Sequence, residues 1–130
     1  MCGICGYCGS NCILGKELIE DMVSTLVHRG PDEKGIYIDE NVALGARRLS
    51  IIDITKGSQP VCNEDRTIWV AFNGEIYNFK EIREGLKERG HKFISGSDTE
   101  VIVHSYEEWG EGFIQKFRGM FAFSLWDGIS

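Results

Sequence analysis

The second residue of the chain is a cysteine, Cys2. Removal of the initiator Met1 leaves this residue with a thiol and a free α-amine together. Such an amine has a pKa of about 7.7–8.0 and takes up a proton near neutrality, and a thiol is already a good nucleophile. One residue then supplies both nucleophile and base. A cysteine after Met1 is weak grounds for catalysis by itself, so its meaning depends on the residues around it.

Cys2 also opens a run. Cys2, Cys5, Cys8 and Cys12 are spaced C-x2-C-x2-C-x3-C, with Cys62 apart. That spacing fits the first ligand run of bacterial iron–sulfur ferredoxins, a use of Cys2 that competes with its use as nucleophile. Ile13 stands where such a run has proline, and a strand sends Cys2 and Cys5 to opposite faces. Free thiols are the simpler expectation. An odd count of five without a secretory signal argues against a disulfide framework. His28, His91 and His104 are scattered along the chain, so no metal site is expected from them.

The elements that must position these residues follow from periodicity. Cys2 to Tyr7 reads as a short strand. From Lys16 onward, Leu18, Ile19, Met22, Val23, Leu26 and Val27 fall on one face of a helix that ends at His28-Arg29 before Gly30-Pro31. Gly35–Asp39 and Val42–Ile52 read as strands around the turn Asp39-Glu40-Asn41, followed by a loop containing Gly57 and Pro60. Arg66–Phe72 is a strand ending at Asn73-Gly74. A helix through Phe79, Ile82, Arg83 and Leu86 closes at Gly90, and His91–Ser95 is a short strand. Ser97 or Asp98 is placed to cap a helix whose apolar face is Val101, Ile102, Tyr106 and Trp109. Gly119–Trp126 is the last strand, and Asp127-Gly128 signals a hairpin. An unreturned hairpin leaves an apolar edge unpaired, so the domain is expected to be truncated and to continue past residue 130.

With 130 residues, the prior is one domain with a genuine core. Fourteen Lys plus Arg against twenty Asp plus Glu give a net charge of −6 and leave no basic footprint, so neither nucleic acid nor an anionic membrane is expected as a partner. The first fifteen residues carry no charge, but they lack the basic start and apolar middle of a signal peptide. No stretch approaches the roughly 20 apolar residues of a membrane span, and the expected compartment is the cytoplasm. Strands in antiparallel-compatible pairs interspersed with helices indicate an α+β fold.

Several segments then recur together: Cys2-Gly3-Ile4-Cys5-Gly6, Arg29-Gly30-Pro31-Asp32, Arg48-Leu49-Ser50-Ile51-Ile52-Asp53, Gln59-Pro60, Asn73-Gly74-Glu75-Ile76-Tyr77-Asn78, Ser97-Asp98-Thr99-Glu100 and Gly119-Met120-Phe121-Ala122-Phe123. In this order and spacing the chain resembles the glutaminase domain of class II glutamine amidotransferases, in the asparagine synthetase branch. The resemblance covers essentially the whole chain. It implies the N-terminal-nucleophile (Ntn) hydrolase fold, a four-layer αββα sandwich. It implies hydrolysis of glutamine to glutamate and ammonia through a Cys2 thioester, with the Asn73 amide and the Gly74 N–H holding the oxyanion. Arg48, within Arg48-Leu49-Ser50-Ile51-Ile52, would grip the substrate carboxylate, and Asp98, assisted by the Glu75 region, the substrate ammonium. Arg47 is expected to point away and be solvated.

The resemblance further implies that residues 1–130 are an incomplete glutaminase domain. An ATP-dependent synthetase domain outside this chain would act in cis, the ammonia being used to make asparagine from aspartate. ATP and Mg are expected only there, with no cofactor in this chain, and self-association is open. Two other readings stand beside it: an inactive amidotransferase-like module that only binds a partner, and a small iron–sulfur protein.

Overall fold

The computed structural model of the chain describes residues 2–48 and 58–129. Among these, strands β1 (Gly3–Cys8), β2 (Glu33–Ile38) and β3 (Val42–Arg48) form one antiparallel sheet in the order β1-β3-β2. Strands β4 (Val61–Cys62), β5 (Ile68–Ile76) and β6 (Gly119–Asp127) form a second, in the order β4-β5-β6. Helix α1 (Lys16–Ser24) covers the first sheet, and α2 (Phe79–Glu88) and α3 (Glu100–Trp109) cover the second.

Side-chain alternation produces the layers. On β1, Cys5 and Tyr7 join Ile19 and Val23 of α1, while Ile4 joins Leu44 of β3 and Ala71 of β5. On β5, Trp69 and Ala71 face the first sheet, and Ile68, Val70, Phe72 and Ile76 face Leu86, Val101 and Ile102 of the helices. The order is therefore helix, sheet, sheet, helices: the αββα sandwich. Among the described residues no helix is long and apolar enough to cross a membrane.

Two contacts fix how the sheets lie. At one end Tyr37 stacks on Trp69 with ring centroids 4.0 Å apart, and the Trp126 indole donates to Asp39 Oδ2 at 3.1 Å. Asp39 Oδ1 also accepts from the N–H groups of Asn41 and Val42, which makes the expected turn. Nearer the other end, the Gln59 carbonyl lies so close to Gly35 of β2 that a Cβ there would sit 1.6 Å from it, while Gln59 Oε1 accepts from Phe72 N–H of β5 at 2.8 Å.

Several elements differ from expectation. Helix α1 stops at Ser24 rather than at Arg29. The Ser24 and Thr25 hydroxyls donate to the Glu20 and Met22 carbonyls, and Leu26 N–H reaches only to Val23 O. Local hydroxyl bonds of this kind compete with the helical ladder, and Leu18 and Val27 are left exposed. β5 does not end at Asn73-Gly74 but runs through to Ile76, paired residue by residue with β6. Residues 91–95 form no strand, because Ile94 and Ser95 give their N–H groups to the Glu100 carboxylate. The short β4 and the 3-10 turns at Cys12–Gly15 and Gly110–Lys116 carry no clear period in the sequence. Expected strand residues 49–52 lie outside the described residues.

Phe72 is 2% exposed at the centre of the larger core and Leu14 is 87% exposed. Phe72→Ala is expected to lower unfolding stability by about 3–5 kcal/mol, and Leu14→Ala to change it by less than about 0.5 kcal/mol, as read by denaturant titration.

Candidate active site

The site begins with an unfilled strand edge. β4 has only two residues and pairs with Trp69 and Val70, so among the described residues β5 beyond that point has no strand on its β4 side. Side chains take over. Phe72 N–H donates to Gln59 Oε1, and Ile76 N–H donates to Asp98 Oδ2 at 2.9 Å. N–H groups of alternate strand residues face the same edge, which aims the N–H of Gly74 into the gap between these two carbonyl-type acceptors. Gly74 has φ +143°, and a Cβ on it would lie 2.1 Å from Met120 O of β6. Only glycine fits there.

Asn73 is the neighbour on the other face of the strand. It shares the parity of Trp69 and Ala71, which places its side chain between the two sheets. Asn73 Oδ1 is buried and has no hydrogen-bond partner. A buried amide oxygen left in this way costs free energy, and an amide can present either its oxygen or its nitrogen to a ligand.

The first sheet brings its residues to the same end. Gly3 pairs with Arg47 and Glu33 with Arg48, so Cys2 and Arg48 lie at the end of the sheet opposite the Asp39 turn. Asn73 lies four residues from Trp69, again away from that turn. Arg48 is buried, and its guanidinium is 3.2 Å from Glu33 Oε2. Cys2 is half-buried, and its carbonyl accepts from Arg29 Nε at 3.3 Å.

Asp98 is buried, and the residue at the N-cap of α3 is Thr99, which makes no side-chain cap bond. The Asp98 carboxylate turns to Ile76, two residues past Gly74. Burial pushes its pKa up, the Ile76 N–H pulls it down, and the nearby charge of Glu75 pushes it up again, with a net rise. Glu75 itself is exposed on β5 opposite Met120. The expected site residues Leu49, Ser50, Ile51 and Ile52 lie outside the described residues.

Sequence reasoning missed the buttress of this end. Gly30 packs so closely on the Arg47 backbone that a Cβ would sit 2.3 Å from Arg47 C, Arg47 Nε donates to Gly30 O at 2.9 Å, and Pro31 bridges to Arg48. Arg29-Gly30-Pro31-Asp32 is thus a clamp on the Cys2–Arg48 end, and Arg47 is held by it rather than solvated. The cysteine run disperses: Cys5 packs against α1, Cys8 is exposed and Cys12 is buried. A separate cavity of about 460 Å³ between β1 and β6 is lined by Ile4, Tyr7, Cys8, Leu44 and Trp126, and not by Cys2, Arg48, Asn73, Gly74 or Asp98.

The model of the glutamine amidotransferase domain family matches residues 1–130. The chain belongs to this family. It is 47% identical over 131 residues to the asparagine synthetase [glutamine-hydrolyzing] 1 of Bacillus subtilis strain 168, covering 98% of this chain and 21% of that protein. It is 49% identical over 129 residues to the asparagine synthetase [glutamine-hydrolyzing] 3 of Arabidopsis thaliana, covering 98% of this chain and 22% of that protein. The amidotransferase chain thus spans about a fifth of the length of these relatives. Its fold is similar to that of a glutamine phosphoribosylpyrophosphate amidotransferase from B. subtilis, with a TM-score of 0.56 at 20% identity over 70% of this chain and 22% of that one. That match supports the Ntn-type sandwich of this amidotransferase domain.

Because the folded pKa of Asp98 is raised, the unfolded chain binds fewer protons than the folded one above the ordinary value of 3.8. The stability this group contributes is present below 3.8 and is lost as pH rises through the folded value. Asp98→Asn keeps an acceptor for Ile76 N–H and removes the titration. Its stability is expected to exceed that of the unsubstituted protein at neutral pH, with the gap closing toward pH 3, as read by denaturant midpoints across pH.

Proposed function

We propose that this chain hydrolyses the side-chain amide of free glutamine, through a thioester on Cys2, to glutamate and ammonia. The observation that supports the reading is the placement of Cys2, Arg48 and Asn73 at the same end of the two stacked sheets, with the Gly74 N–H and the Asp98 carboxylate along the adjoining edge of β5. With Met1 removed, the Cys2 α-amine takes the thiol proton and the sulfur attacks the amide carbon. The oxygen that becomes negative accepts from Asn73 Nδ2 and Gly74 N–H, two donors on a paired strand that need no rearrangement. The protonated amine gives its proton to the departing nitrogen. Ammonia leaves, and water activated by the same amine cleaves the thioester.

Arg48 binds the substrate α-carboxylate with its planar fork, and Asp98 with Glu75 receives the α-ammonium. Both ends of a free amino acid are then read, which excludes an amide within a peptide. The names of the relatives, and the fifth of their length that this chain spans, support a synthetase domain in cis that uses the ammonia to convert aspartate to asparagine. ATP and magnesium belong to that domain in this reading. Free thiols suit a cytoplasmic setting.

Intact mass of the purified protein should show loss of Met1. Cys2→Ala should abolish glutamine-dependent ammonia release, and Cys2→Ser should nearly do so. Either variant retaining most of the activity removes Cys2 as nucleophile, whereas no ammonia release by the unsubstituted protein after loss of Met1 favours a partner-binding module. Asn73→Ala should lower kcat about 100–1,000-fold with little change in KM; a raised KM with unchanged kcat would make Asn73 a binding group instead.

A further inference from the structure

The two histidines that are far apart in sequence meet in space. His91, in the connection between α2 and α3, and His104, in the middle of α3, have ring centroids 5.4 Å apart. Glu107, one turn further along α3, and Glu64, in the turn between β4 and β5, close the group. One donor atom from each of Glu64, His91, His104 and Glu107 lies within 4.8 Å of all the others. We propose that these four side chains form a divalent transition-metal site on the helical layer, separate from the amide-hydrolysing cleft.

Three observations carry this. First, both imidazoles have one nitrogen held by a carboxylate outside the group. His91 Nε2 is 2.9 Å from Glu108 Oε1, and His104 Nε2 is 3.1 Å from Glu100 Oε2. A carboxylate on the far ring nitrogen sets the tautomer and leaves the near nitrogen's lone pair as a ligand. Second, the near nitrogens are waiting. His91 Nδ1 and His104 Nδ1 are both buried without a hydrogen-bond partner, and His104 is 1% exposed.

Third, His104 Nδ1 lies 2.7 Å from Glu64 Oε1 and 3.5 Å from Glu107 Oε1, at ion-pair distances but with hydrogen-bond geometry to neither. Such spacings are those of neighbouring ligands around one cation, which sit about 3 Å apart when each bond is about 2.0–2.1 Å long. Glu64 and Glu107, whose side chains are 42% and 27% exposed, can draw closer to the imidazoles by side-chain rotation.

Two imidazole nitrogens and two carboxylate oxygens select a borderline ion such as Zn(II) or Co(II) over Mg(II) or Ca(II), which take oxygen ligands. The site joins three segments of the helical layer, so its role is structural. It ties the β4–β5 turn and the α2–α3 connection to α3. Glu100, which orients His104, also accepts from Ile94 N–H, Ser95 N–H and the Ser95 hydroxyl, the segment that leads into Asp98. A bound ion would therefore stiffen the loop that delivers Asp98.

Titration of the chelator-treated protein with Co(II) tests the site. The expected result is one equivalent bound, with visible bands of nitrogen and oxygen ligation and no sulfur-to-metal charge-transfer band. Glu64→Gln combined with Glu107→Gln, both surface changes that leave the fold intact, should weaken that binding at least 10-fold. The rise in Tm produced by Zn(II) should disappear in the same variant. Absence of stoichiometric binding, equal binding by the double variant, or a thiolate charge-transfer band that assigns the ion to Cys2, Cys5, Cys8, Cys12 or Cys62 would each overturn the proposal.

Discussion

The hydrogen bond from Phe72 N–H to the side chain of Gln59 is the contact on which the geometry of this protein turns. β4 is too short to cover β5, and a buried strand edge cannot be left without acceptors. Gln59 covers the N–H of Phe72 and Asp98 that of Ile76, four residues on, with the Gly74 N–H between them. Gln59 also reaches Thr99 at the start of α3 through a 3.4 Å contact, while its carbonyl packs on Gly35 of the opposite sheet. One buried residue thus sets the first sheet, the second sheet and the entry of α3 relative to one another. A strand in its place would satisfy the backbone and abolish the gap.

The buried carboxylates show which groups serve the fold and which are held in reserve. Burial pushes Asp39 up, but bonds from Asn41, Tyr37, Val42 and Trp126 outweigh it and hold it low. Glu100 is likewise pushed up by burial and brought down by His104, Ser95 and Ile94. For Asp98, burial and the charge of Glu75 outweigh the N–H groups of Ile76, Asp98 itself and Thr99, and its shift goes the other way. Tyr37 follows Asp39: burial and the bond to that carboxylate push its hydroxyl up to about 12, so the clamp between the sheets does not titrate near neutrality.

Much of the molecule was legible from sequence because its periods are strong. The alternation of β1, β2, β3 and β6 and the helical spacing of α2 and α3 match the elements observed, as does the Asp39 turn. Failures fall where a tertiary bond overrides local preference. Ser24 and Thr25 end α1 early, Glu100 draws Ile94 and Ser95 out of a strand, and pairing with β6 carries β5 through an Asn-Gly pair that otherwise reads as a turn.

The residue types by themselves determined which chemistry to consider: a thiol beside a potential α-amine, an amide followed by glycine, an arginine and an aspartate of opposite charge. Their order along the chain determined the family that those types resemble. Only the tertiary structure decided that Cys2, Arg48 and Asn73 lie at the same end of the two stacked sheets, because that depends on the direction in which the sheets stack, which Gln59 and the Tyr37–Trp69 contact set from opposite ends. The same holds for His91 and His104. Thirteen positions apart, they show no ligand spacing in sequence, and it is the folding of the α2–α3 connection back onto α3 that brings their unpartnered nitrogens together.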